Sequence, residues 1–137
     1  MNIQTLDGES KKWIINTINS DNKSDLHKNA AVLIRNVFPT TTIKEEVQIE
    51  VKRNKYLYLD FYLPLLKVGI EIDGQQHSKY TNFLSKNPLN FIKQKINDNL
   101  KNEWCKLNEI ILIRLNYDEK PNVWREKLIN LGFNNEK

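Results

Sequence analysis

The chain reads as a helical pattern, then strands, then a helix, a strand and a last helix. Residues 24–38 follow the 3.6-residue period, with Leu26, Ala30, Leu33, Ile34 and Val37 on one face. Ser24 stands where an N-cap belongs, and Asp25 falls in the first turn, where the helix dipole favours a negative charge. Phe38-Pro39 closes the helix, because proline disfavours a helical residue before it. The period then drops to two. Val47, Ile49 and Val51 alternate with Glu46, Gln48, Glu50 and Lys52. Arg53-Asn54-Lys55 suits a hairpin turn. Leu57, Leu59, Phe61 and Leu63 then alternate with Tyr56, Tyr58, Asp60 and Tyr62 as far as Pro64. A third strand runs from Val68 to Asp73, with Val68, Ile70 and Ile72 on one face and Gly69, Glu71 and Asp73 on the other. Short links between these strands predict an antiparallel meander.

After Gly74 the chain loops through His77 to Pro88, and a helix of roughly twenty residues is expected, striped by Ile92, Ile96, Leu100, Trp104 and Leu107. Asn108 is placed to terminate it. Ile110 to Leu115 is a continuous apolar run, expected as a strand covered on both faces. The helical crossover before it favours parallel pairing with an earlier strand. Pro121 opens a last helix striped by Val123, Trp124, Leu128, Ile129 and Leu131. Residues 1–23 lack a long apolar pattern. They are expected to form an N-terminal arm or extra helix, with Trp13, Ile14, Ile15 and Ile18 on one face, and 24–137 a single domain. The order is α-β-β-β-α-β-α, an α/β fold.

Composition changes this picture in three ways. With 137 residues and 39% hydrophobic content the chain fills one core. No apolar run is long enough to span a bilayer, and a lone Cys105 makes neither an internal disulfide nor a cysteine-rich zinc site, so a cytoplasmic, non-membrane protein is expected. Four glycines leave no Gly-rich phosphate loop. The net charge of +4 comes from 21 basic and 17 acidic residues and permits a nucleic-acid partner. The basic residues are overwhelmingly lysine beside abundant Asn and Ile, which AT-rich coding also produces, so the charge alone does not decide.

The placement of the acids does more. Pairing of 56–63 with 68–73 puts Asp60, Glu71 and Asp73 on one sheet face, where neighbours lie about 5 Å apart directly and about 7–8 Å on the diagonal. Any one of them is most simply a solvated sheet residue. All three, followed by Gly74-Gln75-Gln76-His77, favour a divalent-cation site: Mg²⁺, or Mn²⁺ in its place, held by carboxylates beside substrate phosphate oxygens. His77 is suited to general base or acid duty. Asp98 and Lys101, three apart on the long helix, are an ordinary surface ion pair unless that helix crosses the acidic cluster. His27 is read as structural.

Leu59-Asp60-Phe61-Tyr62-Leu63-Pro64 and Gly69-Ile70-Glu71-Ile72-Asp73-Gly74-Gln75-Gln76-His77 resemble the core of the PD-(D/E)XK nuclease superfamily. The likeness is nearer to its very-short-patch-repair-like branch, which includes phage homing endonucleases. Asn97-Asp98-Asn99-Leu100-Lys101, Trp104-Cys105 and Asn108 to Ile113 extend it, so that it covers roughly 24–118. The resemblance implies a restriction-endonuclease-like αβββαβ core with a mixed sheet, an antiparallel meander plus one parallel strand. It implies metal-dependent hydrolysis of DNA phosphodiesters and a phage-type origin. It makes Asp60 the first metal ligand and Glu71 the second acid. The superfamily's usual lysine, two residues after the second acid, is Asp73 here. Asp73 then takes a secondary ligand or structural role, His77 acts as base or acid, and Asp98 orients a ligand. Whether Lys95 or Lys101 replaces the lysine stays open, and Glu46 or Glu50 is a minor candidate for a further carboxylate.

The expected function is therefore a Mg²⁺-dependent DNA endonuclease in which a metal-activated water attacks phosphorus, with Tyr58, Tyr62 and Tyr80 available to stack on bases. The alternatives are a catalytically inactive nucleic-acid-binding module of the same fold and a phage-type inhibitor of another protein. Nucleases of this size that cut both strands often dimerise, which makes a homodimer a further expected partner, although no interface signal is legible.

Overall fold

The computed structural model describes residues 1–18, 23–74 and 88–134. In chain order the elements are β1 (Asn2–Gln4), β2 (Ser10–Lys12), α1 (Asp25–Val37), β3 (Lys44–Lys52), β4 (Lys55–Leu63), β5 (Val68–Asp73), α2 (Pro88–Leu107), β6 (Ile111–Asn116) and α3 (Pro121–Asn134). Among the described residues the main sheet has the order β3-β4-β5-β6. β3, β4 and β5 are antiparallel neighbours, and β6 lies parallel to β5, with Val68 opposite Ile111 and Asp73 opposite Asn116. The architecture is mixed α/β, a four-stranded mixed sheet with three helices.

Both faces of the sheet are covered. On one, α1 and α3 bury Ala30, Ile34, Trp124 and Leu128 against Phe61, Leu63, Val68 and Ile70. On the other, Leu100, Trp104 and Cys105 of α2, together with Ile3, pack on Val47, Ile49, Val51 and Leu59. On this face Gly69 leaves room for the neighbouring strands' side chains: a Cβ there would lie 3.3 Å from those of both Leu59 and Leu112. α1 begins as its sequence dictates, Ser24 Oγ accepting the His27 N–H at 3.1 Å.

Four local expectations are corrected. The first concerns residues 1–18, which form a hairpin and an extended segment where an arm or helix was expected. Gly8 turns the hairpin at φ +94°. Beyond it, Trp13 and Ile15 pack inward and Ile14 outward, the two-residue period of a strand. The segment covers the outer edge of β3, where the Gln48 N–H donates to Asn16 O at 2.9 Å and the Ile18 N–H to Glu46 O at 3.1 Å. Trp13 stacks obliquely on Tyr62 at 4.8 Å and edge-on to Trp104 at 5.4 Å.

Second, α2 buries Phe91, Leu100, Trp104 and Cys105, whereas Ile92, Ile96 and Leu107 of the expected stripe are about half exposed. Third, β6 is a half-buried edge strand, although its apolar run suggested cover on both faces. α3 and the loop before it supply groups to its last residues: Lys127 Nζ donates to Arg114 O, Trp124 Nε1 to Asn116 O, and the Asn116 N–H to Glu119.

The fourth correction matters most for function. Strict alternation along β3 and β4 breaks at one level. Leu59 packs on the α2 face, yet Phe61, two residues on, packs on the α1 face. Glu45 reaches α1 while Val47 lies on the α2 face. Between them Glu46 adopts φ +52°, a left-handed conformation that costs a non-glycine residue on the order of 1 kcal/mol. Asp60 is the β4 residue at this level of the sheet.

Candidate active site

β4 and β5 pair from Leu63–Val68 to Phe61–Ile70. Past that point acidic side chains take the place of ladder partners. The Asp60 N–H donates to Glu71 Oε2 at 2.7 Å, and the Ile72 N–H donates to Asp60 Oδ2 at 2.8 Å. Each acid therefore satisfies a backbone donor on or beside the other strand, which buried N–H groups require. The reciprocal bonds bring the two carboxyl groups into mutual contact.

Glu71 is only 4% exposed, and Asp60 is half-buried. Burial raises the Glu71 pKa to about 7, the neighbouring Asp60 carboxylate adds to the rise, and Lys101 opposes it. Asp60 is also raised, chiefly by burial, against the lowering effects of the Ile72 N–H and Lys101. Two carboxyls in contact in a dry site resist ionising together. Lys101, reaching in from α2, hydrogen-bonds Glu71 Oε1 and is itself mostly buried. Cys105, one turn further along, is pushed up to about 12 by burial and by the charge of Glu71, so it is an inert thiol.

Asp73 lies two residues beyond Glu71 on the same strand face, but its carboxylate is engaged elsewhere. Arg114 Nη1 of β6 donates to Asp73 Oδ1 at 2.9 Å. The same guanidinium grips α2, donating from Nη2 to Asn102 Oδ1 at 2.9 Å and to the Asp98 carbonyl at 3.2 Å, with the Asp98 carboxylate 3.9 Å away. Beside this cluster opens a cleft of about 330 Å³ lined by Asp73, Lys95, Asp98, Asn102, Arg114 and Asn116.

The sequence-predicted residues thus divide. Asp60 and Glu71 are brought together, with Lys101 upon them. Asp73 and Asp98 form a second cluster around Arg114. Among the described residues no group of three or more His, Cys, Asp or Glu side chains is arranged to hold a metal ion. His77 and Tyr80 lie outside the described residues. Glu50 is bound to Lys11 and the Asn54 N–H. Tyr62 is buried under Trp13, which removes it as a base-stacking surface, while Tyr58 is exposed. His27 stacks on Phe61 and meets Glu45 at 2.9 Å, a carboxylate also held by Lys23 and Arg35.

Arg114 and Asn102 escaped the sequence reading. The signal for Arg114 is a lone cation interrupting the run Ile110-Ile111-Leu112-Ile113 before Leu115.

The chain is similar to proteins of invertebrate iridescent viruses. It is 36% identical over 95 residues to "Uncharacterized protein 307L" of Invertebrate iridescent virus 6, an alignment covering 68% of this chain and 48% of the relative. It is 32% identical over 82 residues to "Uncharacterized protein 033L" of Invertebrate iridescent virus 3, covering 56% and 42%. The chain spans about half the length of the curated relatives it matches. No family model matches, and no solved structure matches. Among the described residues no helix is long and apolar enough to cross a membrane.

Proposed function

We propose that the chain is a divalent-metal-dependent endonuclease of the PD-(D/E)XK superfamily, in its very-short-patch-repair-like branch. Its αβββαβ core would then be the restriction-endonuclease-like fold, and its substrate DNA. The observation that carries the reading is the buried Asp60–Glu71 carboxyl pair with Lys101 on Glu71. Support comes from the position of that pair within motifs resembling the superfamily's, and from a helical lysine beside the second acid where the strand position holds Asp73.

The donor set fits a hard cation. Mg²⁺ needs only one or two carboxylates and otherwise keeps water or phosphate oxygens. Two carboxyls held in contact at an unfavourable protonation state are the arrangement such an ion relieves. Bound there, the ion would polarise a phosphoryl oxygen and lower the pKa of a water.

The chain's own residues do the rest. The Ile72 and Asp60 N–H groups fix the two carboxyls in place. Lys101 offers an ammonium at Glu71 for the charge that develops on the phosphate. Lys95 brings positive charge to the adjoining cleft, where a phosphate backbone would lie. His77, from the sequence, is the proposed base or acid.

The test is cleavage of supercoiled plasmid in Mg²⁺ or Mn²⁺ by the wild type, Asp60→Asn and Glu71→Gln, the amides being chosen to keep the backbone bonds. The expected outcome is loss of at least about 100-fold in both variants with melting retained. Equal cleavage by all three proteins, or none by the wild type in either metal, refutes the proposal.

A further inference from the structure

The Asp73 position is the one at which this chain departs from the motif it resembles, and the structure ties that departure to Lys101. Asp73 binds Arg114, and Arg114 in turn holds α2 at two points, the Asp98 carbonyl and the Asn102 side chain. Lys101 lies between those points in the chain, and its ammonium is the one that reaches Glu71. Three elements thus meet at one planar cation: β5 through Asp73, β6 through Arg114 itself, and α2 through residues 98 and 102. Guanidinium spreads its donors over a planar fork; an ammonium carries its three on a single nitrogen and does not reproduce that spread. Leu100, Trp104 and Cys105 also seat α2 here, fixing its distance from the sheet.

We propose that Arg114 is a positioning residue, held by Asp73, that sets the rotation and height of α2 so that Lys101 meets Glu71. Asp73 is then the anchor of that device rather than a metal ligand. The catalytic consequence rests on the nuclease reading above; the positional claim does not.

The experiment uses the full chain as wild type, Arg114→Gln, Arg114→Lys, Lys101→Met and the double variant Arg114→Gln/Lys101→Met, with Asn102→Ala as a milder loosening of the same grip should Arg114→Gln fail to fold. Cleavage of plasmid is measured in saturating Mg²⁺, and DNA binding in Ca²⁺. Arg114→Gln is expected to slow cleavage about 10- to 100-fold with binding changed less than about threefold. Arg114→Lys should not restore it, and the double variant should cleave no more slowly than Lys101→Met alone. Asn102→Ala should move the rate in the same direction by a smaller factor. Losses that multiply in the double variant, restoration by Arg114→Lys, or a loss confined to binding overturn the proposal.

If the wild type cleaves nothing, the nuclease reading fails, and the same proteins decide the positional claim by thermal melting. Arg114→Gln should then lower Tm by less in the Lys101→Met background than in the wild type, because one of the contacts it disturbs is already gone. For a set in which Arg114→Gln does not fold, Asn102→Ala replaces it in the cycle. Equal Tm losses in the two backgrounds overturn the claim.

Discussion

Glu71→Gln isolates the electrostatic cost of the candidate site. In the native protein the Glu71 carboxyl titrates near 7, against an ordinary value of 4.5, because it is buried and touches Asp60. A carboxyl whose folded pKa is raised holds its proton more tightly than the unfolded chain does. Its contribution is therefore fully present below about pH 4.5 and is lost as pH rises through 7. The rise of roughly 2.5 units corresponds to on the order of 3 kcal/mol, most of it falling between pH 5 and pH 8. The amide that replaces the carboxyl does not titrate, so the Glu71 share of the slope disappears with it, while burial still raises Asp60 in both proteins. The substitution also leaves Lys101 without its carboxylate. Slopes, not absolute stabilities, are thus the quantity to compare. Urea unfolding of both proteins in EDTA at half-unit steps from pH 5 to pH 8 is the assay. The wild type should lose roughly 2–3 kcal/mol more than Glu71→Gln across that range. Mg²⁺ should then stabilise the wild type more at pH 8 than at pH 6, since ligation requires the ionised carboxylate. Parallel curves for the two proteins would refute the argument.

Two further substitutions test the frame that carries the site. Ser24→Ala removes the hydroxyl that accepts the His27 N–H and should cost about 1 kcal/mol, read as a lower urea midpoint with unchanged slope. Gly69→Val drives a branched side chain towards Leu59 and Leu112, which a Cβ alone would already approach at 3.3 Å, and should cost about 2 kcal/mol; a melting temperature equal to the wild type's would count against the close packing of Leu59 and Leu112 over Gly69.

Much of the frame was legible because it rests on local rules. Ser24, Pro39, the period change at residue 46 and Pro121 each mark a boundary by their own chemistry, and the structure has elements there. The parallel β5–β6 pair follows from the length of the crossover. What sequence could not supply was decided between distant segments. Residues 13–18 alternate Trp13, Ile14, Ile15, too briefly to separate strand from helix, and the open edge of β3 settles the matter. Ile92 and Ile96 follow the helical period yet lie off the buried face, which turns instead through Phe91, Leu100 and Trp104. Nothing local announces that Glu46 takes a positive φ, so the face switch that separates Leu59 from Phe61 was invisible. The same holds for the candidate site. Asp60 and Glu71 were found by face and register, but the partners of Asp73 and Lys101 lie about forty and thirty residues away.

The defect in the sheet is itself an argument about why these residues are acids. A strand gap with two unpaired N–H groups needs two acceptors, and asparagine, glutamine or serine supplies one without a charge. Carboxylates do the same task at a higher cost when buried, and two in contact raise that cost again. One lysine offsets part of it, at Glu71. As a purely structural device the pair is therefore inferior to an uncharged one. Ionised oxygens fixed by the backbone gain their advantage only when a cation joins them, and the rigid N–H donors that hold them then serve as the outer support such sites require. On this reasoning, replacing both acids and their lysine at once, Asp60→Asn with Glu71→Gln and Lys101→Met, leaves no buried ammonium unpaired and should give a protein at least as stable as the wild type at pH 8 in EDTA and insensitive to Mg²⁺. A triple variant that unfolds under those conditions would mean that the charged groups are needed by the fold itself.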